Sequence, residues 1–132
     1  MANVKAFKKM GIFSGNAEWV RLVYDFAKDG GAVGALDLAE AGEDMVLMDA
    51  MTKVKAACTS GGAATLIVGR TGDTDAILAS TAVAALTLGS VHAGDAASRQ
   101  KKMVSGDKLL MTIGTAAFTA GQLEIWVLVS KF

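Results

Sequence analysis

From Val46 to Cys58 the small and apolar residues fall on even positions: Val46, Met48, Ala50, Thr52, Val54, Ala56 and Cys58. Asp49, Lys53 and Lys55 occupy odd ones. A period of two sets one face against a core and the other in water, which is the pattern of a half-buried strand. Helix competes here, because Leu47, Met51, Val54 and Cys58 also recur at helical spacing and Asp49 stands four residues before Lys53. The following segment Thr65-Leu66-Ile67-Val68 is rich in β-branched residues and too short for a helix, which favours strand for both. Ser60-Gly61-Gly62 lies between them, and the arrangement predicts a central β-hairpin.

The same alternation recurs on either side. Val20, Leu22, Tyr24 and Phe26 oppose Arg21 and Asp25, predicting a strand over 19–27 that closes at Lys28-Asp29-Gly30-Gly31. A short strand is expected over 34–38. The alanine-rich stretch 76–85 follows Asp73-Thr74-Asp75, whose side chains can cap it, so one short helix is expected near residues 74–85. Residues 89–97 read as a loop carrying the only histidine, His92. Leu109 to Ile113 and then Leu123 to Ser130 are expected to pair as the last two strands. On the final strand Trp126 and Leu128 oppose Ile125 and Val127, so both faces are apolar. Such a strand is either central in its sheet or meets another protein. Together these elements predict an all-β fold: a single antiparallel β-sandwich over residues 18–132, preceded by an N-terminal arm over 1–17.

Composition narrows the function classes. A chain of 132 residues suits one domain, and thirteen basic against thirteen acidic side chains leave no net field to draw nucleic acid or an anionic membrane. No segment reaches the roughly 20 apolar residues of a membrane span, and the lysine-bearing start lacks a signal-peptide core, so cytosolic synthesis is expected. Cys58 is the only cysteine; no internal disulfide can form, and its place on the apolar face reads as a buried small hydrophobe. Alanine and glycine are abundant and aromatics few, which makes a thin core that gains from burial against other chains.

Candidate chemistry is sparse. The glycines at 30, 31 and 34 lack the Gly-Lys-Ser/Thr continuation of a phosphate loop and read as linker. Asp73 and Asp75 have the spacing that opens a calcium loop, but the glycine and terminal glutamate are missing, which favours capping and turn roles. No serine or cysteine near His92 is framed as a nucleophile. These patterns predict no catalytic residue, metal or cofactor. The candidate interface residues are Lys5, Lys8 and Lys9 on the arm and Trp126 and Leu128 on the last strand.

The run of alternating strand, Gly-Gly turn, Ala64-Thr65-Leu66-Ile67-Val68-Gly69 and then Gly72-Asp73-Thr74-Asp75-Ala76-Ile77-Leu78-Ala79 resembles small virion proteins of tailed bacteriophages. So does the ending, Ser105-Gly106-Asp107-Lys108-Leu109, Ile113-Gly114-Thr115 and Phe118-Thr119-Ala120-Gly121-Gln122-Leu123-Glu124-Ile125-Trp126-Val127. The resemblance spans about residues 45–132 and implies a jelly-roll-like sandwich that decorates or cements a capsid. Its partners would be the major capsid protein lattice and copies of itself, a trimer ahead of a dimer. It would sit on the capsid surface of the virion, with no catalytic residue to carry over. The alternative from another class is a tail- or fibre-associated, carbohydrate-binding module. That would need exposed aromatics to stack on sugar, whereas Trp19, Tyr24 and Trp126 are spaced as core positions.

Overall fold

The computed structural model describes residues 8–10, 17–94 and 101–131. In chain order the strands are β1 (Lys8–Met10), β2 (Glu18–Asp25), β3 (Gly34–Ala41), β4 (Met45–Ser60), β5 (Thr65–Arg70), β6 (Asp73–Ala82), β7 (Val91–Ala93), β8 (Lys101–Met103), β9 (Lys108–Gly114) and β10 (Phe118–Lys131). They form two sheets. One has the order β1-β3-β9-β5-β6; the other has the order β2-β10-β4-β7, with β8 also paired to β4. Every pairing is antiparallel except β1 on β3. The predicted antiparallel sandwich is therefore present, with one parallel strand added from the arm.

The two sheets enclose one core. Leu36, Leu38, Leu66, Val68, Ile77, Leu109, Met111 and Ile113 face it from the first sheet. Val20, Leu22, Tyr24, Leu47, Val54, Leu123, Ile125, Val127 and Val129 face it from the second. Tyr24 lies on the β2 apolar face, so its hydroxyl has to find a partner inside; it donates to the Gly30 carbonyl at 2.6 Å. Burial, together with the fields of Cys58, Asp29 and Asp25, raises the Tyr24 pKa above its ordinary value.

Four expectations change. The strand from 46 to 58 exists, and longer than expected, but its alternation switches phase: Met45 and Leu47 point inward, then Ala50, Thr52 and Val54 do. The switch sits where Leu128 pairs with Asp49 but Val129 pairs with Leu47, leaving Met48 as an extra residue. Such a bulge turns Val46 and Met48 to the outer face. Secondly, β4 and β5 do not form a hairpin. Residues 61–64 carry the chain from one sheet to the other, and β5 pairs with β9 and β6. The expected closing pair fails for the same reason, since β9 lies beside β3 and β5 while β10 lies between β2 and β4.

Thirdly, 74–85 is not a helix. Ala76, Ile77 and Leu78 are buried on an edge strand paired to β5, and only Val83–Ala85 forms a single 3-10 turn. Pairing to β5 offers these alanines a ladder and buried neighbours, which outweighs a propensity advantage of tenths of a kcal/mol per residue, on the order of the helix scale. The one short helix is instead α1 (Phe26–Asp29), started where β2 ends by Asp25, whose Oδ1 accepts from the Ala27 N–H at 3.0 Å. Fourthly, His92 lies on β7, opposite Thr52, rather than in a loop.

Candidate interaction surface

β10 is central in its sheet, which accounts for its two apolar faces. The inner row, Leu123, Ile125, Val127 and Val129, is fully buried. The outer row is half-buried by the flanking strands: Leu128 lies between Trp19 of β2 and Asp49 of β4, Trp126 between Arg21 and Met51, and Glu124 between Val23 and Lys53.

On this face Trp126 is held by charge. Its Nε1–H donates to Glu124 Oε1 at 3.1 Å, Arg21 Nη1 donates to Glu124 Oε2 at 2.9 Å, and the Lys53 ammonium stands 5.0 Å from the indole centroid. Each is a neighbour across or along the strands, which the sheet sets within reach. The bond from the indole N–H, with the Lys55 field and Arg21 behind it, holds the Glu124 carboxyl below the ordinary carboxylate range against a desolvation that opposes it. The result is a flat patch with an aromatic at its middle and charges alternating around it.

Trp19 was expected inside, and at 43% exposure it is the most open described aromatic. The signal was present in β2: if Val20, Leu22 and Tyr24 face the core, Trp19 shares the outward side with Arg21. It extends the apolar row through Leu128. Tyr24 and Phe118, by contrast, are core, meeting edge to face with ring centroids 6.4 Å apart. Among the described residues no set of exposed aromatics lines up as a stacking platform.

Of the arm candidates, Lys5 lies outside the described residues. Lys8 and Lys9 are on β1, in register with Ala39 and Glu40 of β3; their side chains are outside the description as well. β1 is thereby tied, by backbone, to the edge of the sheet that does not hold Trp126 and Leu128.

The reactive groups are dispersed. Cys58 is buried, and burial pushes its thiol up to about 11, so it stays protonated and shielded at neutral pH. His92 Nε2 meets the Ser90 hydroxyl at 3.3 Å. No group of three or more potential metal ligands occurs among the described residues.

No protein-family model and no curated protein sequence matches the chain. Solved structures do. A chain of the cyanophage Pam1 capsid asymmetric unit superposes with a TM-score of 0.65 at 13% identity, over 98% of this chain and 94% of that one. A chain of the capsid of Ralstonia phage GP4 gives 0.62 at 14% identity, over 96% and 92%. A chain of the acidic stable capsid structure of Helicobacter pylori bacteriophage KHP30 gives 0.62 at 10% identity, over 86% and 86%. At these identities the likeness is one of fold. It runs nearly end to end on both sides, so the matched chains are of much the same length.

Proposed function

We propose that this protein is a bacteriophage structural protein that decorates the capsid and stabilises it as an oligomer. The observation that carries the reading is the near-complete, two-sided match to chains from three phage capsids. The match covers most of each chain on both sides, so the sandwich accounts for nearly all of every matched chain. In this reading the partners are the major capsid protein lattice and further copies of the chain, and the protein resides on the virion surface. It acts by bridging neighbours and needs no chemistry.

The contact residues follow from the two surfaces above. Trp126 and Leu128, with Trp19, form the subunit contact on the outer face of β2, β10 and β4, where an aromatic surrounded by alternating charge suits an interface centre with a polar rim. In this reading Lys5, Lys8 and Lys9 are the basic residues by which the arm reaches a neighbouring subunit, β1 with Lys8 and Lys9 being paired by backbone at the edge of the other sheet. The deciding experiment is electron microscopy of virions that lack this protein. Missing density on the outer surface and shells that burst at lower temperature are expected; an unchanged head with a changed tail or fibre would replace this reading with that of a tail-associated binding module.

A further inference from the structure

The two ends of the sandwich differ in charge. At one end the loops are residues 30–33, 61–64, 83–86 and 114–117, and not one of these is Asp, Glu, Lys or Arg. These four loops touch. Phe118 N donates to the Gly31 carbonyl at 2.8 Å, Val83 N to that of Ala64 at 3.0 Å, and the Ser60 hydroxyl to that of Ala117 at 2.6 Å. Most of their surface is glycine and alanine in the open, together with Val33 at 56% exposure. Charge stands beside them, with Asp25, Lys28 and the buried Asp29 at the corner of β2 and α1 and Lys55 on β4. The opposite end is built from 42–44, 71–72 and 104–107, and carries Glu43, Asp44 and Asp107, with Lys102 3.8 Å from Asp44.

A solvent-facing end has no reason to be free of charge over four separate loops, whereas the centre of a docking surface does, because a charge buried there without a partner is costly. Small side chains also lose little rotamer freedom on docking and leave backbone groups open to approach. A second feature marks this end. Thr115 holds φ at +70° in a γ-turn closed by Ala116 N on the Gly114 carbonyl at 2.8 Å, a conformation a β-branched residue adopts only when its surroundings impose it.

The size of the end selects its partner. With strands about 4.8 Å apart and sheets about 10 Å apart, an end three to four strands wide covers roughly 350 Å². A stable one-to-one interface needs about 800 Å² from each side. One end alone is too small to hold two copies together. Several ends carried by one oligomer, on a surface that repeats, bind with the gain of multivalency. We infer that the uncharged end is the foot on which the subunit stands, docking end-on to the protein shell, while the charged end faces solvent. This rests on the capsid reading and adds to it which surface meets the lattice.

The test uses the full chain and shells purified from a deletion mutant of the encoding phage, with co-sedimentation, thermal melting and sedimentation velocity measured together. Ala63→Asp, Ala84→Asp and Val33→Asp, all at exposed positions and made separately so that one misfolded variant does not end the test, are expected to weaken shell binding by roughly tenfold or more. Melting temperature and self-association should hold. Val104→Asp, exposed at the opposite end, should bind as wild type does. Undiminished binding by the folded foot variants overturns the inference and leaves the capsid reading standing, as does loss of binding by Val104→Asp alone. Loss of self-association in the foot variants assigns this end to a copy-to-copy contact and overturns it too. A wild type that binds no shell overturns both readings.

Discussion

Replacing Trp126 with alanine separates a side chain that serves its own sheet from one that joins two subunits. Inside the subunit three interactions are lost. The Lys53 ammonium over the ring contributes about 0.5–1 kcal/mol at an exposed site. The indole bond to the Glu124 carboxylate contributes about 1 kcal/mol. A half-buried indole hides roughly 100 Å² of apolar surface, about 2.5 kcal/mol at the usual coefficient, an upper figure because unfolded chains bury part of it too. These terms overlap, so the expected loss is about 2–3 kcal/mol, which a 132-residue domain shows as a melting point lower by roughly 10 °C. The protein should remain folded, because the inner row of β10 is untouched. If Trp126 also anchors a subunit contact, the oligomer's dissociation constant should rise about thirtyfold, for an anchor worth about 2 kcal/mol. Sedimentation velocity across concentration, with melting in parallel, measures both. A double-mutant cycle with Lys53→Ala should return a coupling of about 0.5 kcal/mol or more. Additive losses would refute the local account, and a wild-type monomer at tens of micromolar, on the order of working concentrations, would refute the subunit contact.

Four further outcomes are expected. Cys58→Ser should cost about 1–3 kcal/mol by burying a hydroxyl with no arranged partner, and native Cys58 should resist thiol reagents until the protein unfolds; fast labelling of the native protein would place it on the wrong face. Because burial raises the Cys58 pKa from the usual 9.0 to about 11, the stability linked to its neutral form is complete below pH 9 and is lost as pH rises towards 11, a fall of at most about 3 kcal/mol that Cys58→Ala should abolish in alkaline melting curves. Gly121→Ala should destabilise by several kcal/mol, on the order of a strained backbone plus an overpacked core, because Gly121 has φ +143° and a Cβ there would stand 2.6 Å from Cys58 Sγ. Deleting residues 1–14 removes β1 and should lower the melting point by only a few degrees, β1 contributing three residues of ladder, while weakening attachment to shells or neighbouring subunits; full attachment by the truncated chain would leave the arm without a role.

What the sequence determined by itself is the face that β2 and β10 turn to the core. Period-two alternation in 20–24 and 123–129 is a local property, and β2 and β10 bury those residues as written. The breaks at Gly30-Gly31, Gly61-Gly62 and Gly114-Thr115 are equally local, because turn residues act through their own backbone. Pairing was another matter. The alternation of β4 and β5 is satisfied equally by a hairpin and by two strands in facing sheets, and only the competition of β9 and β10 for neighbours decides between them. The same competition made a strand of the alanine-rich 73–82, whose local preference is helix. The phase slip at Met48 came from its register against β10, and the charge around Trp126 from strands more than sixty residues apart in sequence. The uncharged end was written in four separate loops, each unremarkable alone. It becomes a surface only because every crossing between the sheets at that end brings its loop beside the others, and proximity of that kind is a property of the tertiary fold.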